Sequence, residues 1–167
     1  LVFLVDNSGS MSDEADAVAR DIMSWSKTLE VSNLDVRFGC VGYSEDGRIN
    51  GAINLTDADG LSTYLNKYTG TYRTMWFSGK DGSVLKNAAS DYYVSDECGG
   101  MALRYADVNM SFRTGSNRIY VNFTDEPNQP DYKSAYSVRY FKDQSNWEAG
   151  RGTVHTVYSA DTTWTER

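Results

Sequence analysis

LVFLVDNSGSM, residues Leu1 to Met11, drives five apolar residues straight into Asp6, Ser8 and Ser10, with Gly9 loosening the turn among them. An apolar run of that length, ended by a polar turn, predicts a buried strand of a parallel sheet whose carboxyl end opens into a loop. One carboxylate and two hydroxyls at every second position can aim their oxygens at a common centre where the chain curves, and hard divalent cations take oxygen ligands in that way. On this spacing alone, the reading favoured is an ordinary strand-to-helix turn, where Asp and Ser cap the helix that follows.

A second segment shifts the balance. Asn117 to Asp131, NRIYVNFTDEPNQPD, again runs a strand-like apolar stretch into Thr124, Asp125 and Glu126. Two strands ending in acidic loops can bring both loops to one edge of a parallel sheet, the edge at which open α/β folds bind ligands. With both segments in view, the chain resembles a von Willebrand factor type A domain. DNSGS matches the DxSxS element of that family's metal-ion-dependent adhesion site, and FTDE matches its later aspartate element. The resemblance covers nearly the whole chain in order and length.

The resemblance implies a Rossmann-like fold and a cation, Mg2+ or Ca2+ with Mn2+ as a further candidate. Ser8 and Ser10 would ligate directly, and Asp6 and Asp125 directly or through water. It also implies a binding or adhesion module outside the cell or at its surface. Its partner would be a protein or other macromolecule, with an acidic group of that partner completing the metal shell. The family places a metal-ligating threonine just ahead of an Ala-Leu pair; counting back from Ala102 and Leu103, that place falls on Glu97, a departure. A carboxylate there adds a third negative charge to those of Asp6 and Asp125. If Glu97 reaches the ion, it takes the position of an incoming carboxylate or favours Ca2+, which tolerates more carboxylates. The other role open to Glu97, or to Asp96 beside it, is to sit at a helix amino end, where negative charge is favoured anyway.

A chain of 167 residues holds one domain with a substantial core, so a single domain is expected over 1–167. Because Leu1 already belongs to the expected strand, the chain is expected to be a piece excised from a longer precursor. The net charge of −7 argues against a nucleic-acid partner, which would select for a basic face. No segment approaches the roughly 20 apolar residues of a membrane span, and none reads as a secretory leader.

In chain order, a helix is expected from about Ser12, its cap, to Leu29, with Ala15, Val18, Ile22, Trp25 and Leu29 on its buried face. Asp35 to Ser44 and Arg48 to Leu55 read as strands joined by a turn at Asp46 and Gly47, an antiparallel pair at one sheet edge. Thr56 to Tyr68 reads as a helix capped by Thr56. Thr69 to Val94 is broken by Gly70, Gly79 and Gly82; its aromatics either form a recognition surface or fold back over the sheet. Glu97 to Asn109 reads as a helix whose first turn Gly99 and Gly100 weaken. Asp131 to Trp147 reads as helical, in one piece or two, and Thr153 to Ser159 as a last strand. The closing helix usual in the family is not legible in Asp161 to Arg167.

These elements define an α/β doubly wound domain, helices on both faces of a mainly parallel sheet with one antiparallel edge strand. Tyr43, Ser44, Asn128 and the aromatic connection are candidates to frame a recognition surface. Cys40 and Cys98 read as two buried or partly buried thiols, with a bridge the other option, and their spacing does not suit zinc. Three sequons, at Asn54, Asn109 and Asn122, carry little weight, since Asn122 falls in an expected buried strand. Catalysis is not expected. His155, the only histidine, lies mid-strand, no GxSxG elbow surrounds Ser8 or Ser10, and no nucleotide-loop pattern is present. Two further functions stay open: an assembly module whose ion is structural, and a metal-assisted hydrolase.

Overall fold

The computed structural model describes residues 1–43, 48–66 and 92–158. Five strands form one mixed sheet: β1 (Val2–Asp6), β2 (Phe38–Tyr43), β3 (Ile49–Thr56), β4 (Arg118–Thr124) and β5 (Gly152–Tyr158), in the order β3-β2-β1-β4-β5. β1 pairs in parallel with β2 and β4, β4 pairs in parallel with β5, and β3 runs antiparallel to β2 at the edge. The expected α/β class and antiparallel edge strand are both present. Residues 44–47, which join β2 to β3, lie outside the described residues.

β1 is the middle strand of the sheet, and every one of its residues is buried. Successive side chains of a strand point to opposite faces. Val2 and Leu4 enter one core with Met101, Ala102 and Tyr105 of helix α3 (Gly99–Asn109), while Phe3 and Val5 enter the other with Ala19 and Ile22 of α1 (Ala15–Val31) and Leu61 of α2 (Ala58–Leu65). Helices therefore cover both faces. Burial of each such side chain contributes about 1.5–3 kcal/mol, so β1, like the equally buried β2, leaves little room for substitution.

Several local expectations are corrected. Gly9–Ser12 forms a 3-10 turn, and α1 begins only at Ala15 with no side-chain cap, so Ser12 does not cap it. The buried stripe of α1 is Ala15, Ala19, Ile22 and Ser26, and Trp25 lies beside that stripe, 42% exposed, with its ring edge-on to Phe3. Small residues let the helix settle close to the sheet, and that close approach rotates Trp25 out to the flank. For α2 the cap is Asp57, whose carboxylate accepts from Gly60 N at 2.8 Å, because Thr56 still belongs to β3. Residues 67–91, which hold the end expected for this helix and most of the aromatic connection, lie outside the described residues.

In α3 the two glycines are required by packing. A Cβ on Gly100 would stand 1.8 Å from the carbonyl oxygen of Tyr136, and one on Gly99 would stand 2.8 Å from Asn122 Nδ2. The cap of α3 is Cys98, whose sulfur accepts from Met101 N. Residues 131–147 form no long helix but a 3-10 turn (Ser134–Tyr136), one helical turn (Val138–Phe141) and another 3-10 turn (Gln144–Asn146). Ser137 and Asp143 interrupt the run, each accepting a backbone N–H and so starting a new turn. The interruptions let Tyr136, Phe141 and Trp147 all turn into the α3-side core.

That core also buries an ion pair. Asp107 Oδ1 accepts from Arg118 at 2.5 Å and from the Tyr120 hydroxyl at 2.9 Å, and Asp107 Oδ2 accepts from Glu148 N at 2.8 Å. The Arg118 guanidinium lies 4.0 Å from the centre of the Phe112 ring. Cys40 and Cys98 are both buried and neither is in a disulfide. They belong to the cores on opposite faces of the sheet.

Candidate metal centre

The candidate site lies where β1 and β4 end side by side. Val5 pairs with Phe123, so Asp6 and Thr124, the last residues of β1 and β4, stand next to each other at the same edge of the sheet. Thr124 Oγ1 donates to Asp6 Oδ2 at 2.8 Å, which joins two loops 118 residues apart in sequence. Asp6 Oδ1 accepts from Ser8 N at 2.8 Å, and the hydroxyls of Ser8 and Ser10 lie 2.9 Å from each other. Met11, buried to 4% exposure, anchors the 3-10 turn that carries these serines, while Asn7 N donates to Tyr43 O and extends the ladder with β2 one step beyond Asp6.

Asp125 follows Thr124, and its Oδ1 is a buried atom with no hydrogen-bond partner; the carboxamide of the buried Asn7 likewise finds none. Glu97, only 7% exposed, precedes the cap of α3, with its backbone held by Asp96 Oδ1 and Gln129 N. Burial raises the Glu97 carboxyl to about 8, and the charges of Asp6, Glu126, Asp96 and Asp125 add to the rise. Asp6 is raised to about 6 by burial, against the lowering effect of its bonds from Ser8 and Thr124. Acidic groups held this way favour protonation or a compensating cation.

Asp6, Ser8 and Ser10 are thus bonded into one loop, whereas Asp125 and Glu97 act on them through charge. Among the described residues no three of His, Cys, Asp and Glu are grouped as they would be to hold a metal ion. A cation here would depend on the serine hydroxyls as well as on carboxylates. The donor set fits Mg2+ or Ca2+ in kind, being oxygen throughout, with an orphaned carboxylate oxygen beside it.

The expected recognition frame is corrected. Tyr43 is 1% exposed and its hydroxyl donates to Asn122 Oδ1 at 2.8 Å. Asn128, also 1% exposed, accepts from Gly100 N and Cys98 Sγ and donates to Tyr136 O. Both residues hold the scaffold together and neither offers a surface. Ser44 lies outside the described residues. Of the aromatic connection, Tyr92 packs inward against Tyr105 and Tyr136, while Tyr93 stays 48% exposed beneath Arg48 and Lys133.

Sequence reasoning named Thr124 but gave it no part in the site, because a hydroxyl in a strand reads as β propensity until its partner across the sheet is known. Glu126 was likewise named in the acidic loop without a part in the site, and Asp96 only as an acid at a helix amino end; both act on Glu97 through charge. His155 lies elsewhere. It lines a groove of about 710 Å³ with Trp25, Leu29 and Ile119, beside Leu1, Arg37 and Asn117 at the opposite ends of the strands.

No protein-family model matches the chain, and no curated protein matches it. Solved structures similar to it include two crystal structures of the pilus adhesin SpaC from Lactobacillus rhamnosus GG. One is 17% identical, with a TM-score of 0.45, over 74% of this chain and 15% of the adhesin. The other, an open conformation, is 20% identical, with a TM-score of 0.42, over 76% and 14%. The chain thus spans about one seventh of the length of those adhesins.

Proposed function

We propose that this chain is a von Willebrand factor type A-like binding module that holds a divalent cation at the joined ends of β1 and β4 and recognises a protein or other macromolecular ligand there. The observation that carries the proposal is the hydrogen bond from Thr124 to Asp6, which sets the DxSxS loop against the loop of Asp125. Ser8 and Ser10 would offer hydroxyl oxygens, and Asp6, Asp125 and Glu97 carboxylates. A bound Mg2+ or Ca2+ would supply positive charge and coordination positions for a ligand oxygen. The work of the module would be outside the cell or at its surface, as the resemblance implies.

Calorimetric titration of Mg2+ and Ca2+ tests the metal. Saturable one-to-one binding is expected for the parent and its loss for Ser10→Ala and Asp125→Ala; a parent that binds neither ion refutes the proposal. In Glu97→Thr, an unchanged affinity would remove Glu97 from the coordination shell. A pull-down with and without chelator tests the ligand side.

A second function is supported by the burial of Asp6 and Glu97 among like charges. In it the ion neutralises these carboxylates and stabilises an assembly module. Chelation would then lower the melting temperature and leave partner binding intact.

A further inference from the structure

Thr124 is buried to 3% exposure, and its hydroxyl forms a hydrogen bond that joins the two loops. A threonine hydroxyl carries one proton and two lone pairs. The proton has Asp6 Oδ2 at 2.8 Å and Glu126 O at 3.2 Å as acceptors, beside a contact with the Tyr43 hydroxyl, and the short contact to a carboxylate is the strongest. The oxygen in turn accepts from Glu126 N at 3.1 Å, which closes the 124–126 turn around Asp125.

The other oxygen of Asp6 is held by Ser8 N, so the carboxylate is clamped from its own loop on one side and from β4 on the other. Removing the Thr124 hydroxyl would release both the Asp6 carboxylate and the turn that carries Asp125. Valine would fill the same space and do neither job.

We infer that Thr124 is a positioning residue for the cation: it holds Asp6 and the 124–126 turn so that the oxygens of both loops face one centre, acting through Asp6 and not as a ligand. The inference rests on the proposed metal site and specifies what aligns it. Nothing in the Thr-Asp-Glu run by itself distinguishes this role from that of an ordinary strand threonine.

The test is titration of the whole chain with CaCl2 and MgCl2, together with thermal melts with and without each ion, for the parent and for Thr124→Val, Thr124→Ser and Thr124→Cys. One hydrogen bond to a charged group is at stake, so Thr124→Val should bind the ion roughly tenfold more weakly or worse and lose the ion-dependent rise in melting temperature. Thr124→Ser, which keeps the hydroxyl, should match the parent in both readouts. Parent-like affinity in Thr124→Val, with the parent binding normally, overturns the inference and leaves the metal site standing. Weak binding in Thr124→Ser also overturns it, because the hydroxyl would then not be what matters. Should the valine variant not fold, Thr124→Cys fills the space with a poorer donor, and parent-like affinity in it overturns the inference in the same way. A parent that binds neither ion removes the site and the inference together.

Discussion

Gly100 lies so close to Tyr136 that a single added carbon would stand 1.8 Å from the Tyr136 carbonyl oxygen. Asn128 ties the same two residues together, accepting from Gly100 N and donating to Tyr136 O. The first turn of α3 and the 3-10 turn before Ser137 are thereby locked backbone to backbone.

Helix propensity alone makes Gly100→Ala stabilising by about 0.5–1 kcal/mol. The contact reverses the sign: overpacking against an unyielding backbone should cost about 1–3 kcal/mol. Urea unfolding decides. Gly9→Ala, whose added carbon meets nothing within 4 Å, is the control and should be close to neutral.

Removing one partner of the Asp107–Arg118 pair leaves a buried charge uncompensated. Asp107→Ala should lose about 3–5 kcal/mol of stability, with the Tyr120 hydroxyl and Glu148 N also stripped of their acceptor. The double variant Asp107→Leu with Arg118→Met should recover part of that loss. A double variant as unstable as the sum of the single ones would contradict the account.

Stability of the ion-free chain should fall as pH rises. Asp6 is raised to about 6 and Glu97 to about 8, above the usual carboxylate range, so the folded state binds these protons more tightly than the unfolded chain does. That stabilisation is complete below the unfolded values, near pH 4, and is lost as pH climbs through 6 and then 8. Melting temperatures in chelator should therefore drop between pH 5 and pH 8.5. Glu97→Gln should flatten the upper part of the drop, and a flat or rising curve for the parent would refute the assignment.

Both thiols should resist reagent in the native chain. Cys40 and Cys98 are fully buried on opposite sides of the sheet, and burial pushes the Cys40 thiol up, away from the reactive thiolate. Thiol titration should count close to none before denaturation and two after it. A single disulfide found by mass under non-reducing conditions would disprove the separation.

Strand assignments were the legible part. β1, β2, β3, β4 and β5 each fall within two or three residues of where apolar runs and turn signals put them, because burial on one or both faces imposes a pattern on the sequence itself. The helices were legible in position but not in phase or in caps. The buried face of α1 runs through Ala19 and Ser26, which carry little hydrophobic signal, and Asp57 and Cys98 cap helices expected to begin elsewhere. Residues 131–147 were misjudged because Ser137 and Asp143 can continue a helix or restart one, and only the aromatic side chains packed beneath them decide which.

The sequence by itself determined the alternation of strands and helices and the two acid-bearing loops, since periodicity and composition are local properties of a chain. Tertiary structure alone decided that Thr124 meets Asp6, that Tyr43 and Asn128 are internal, and that Asp107 is matched by Arg118. Each depends on which segments become neighbours. That follows from the burial of both faces of β1, an outcome of the whole fold and of no single stretch.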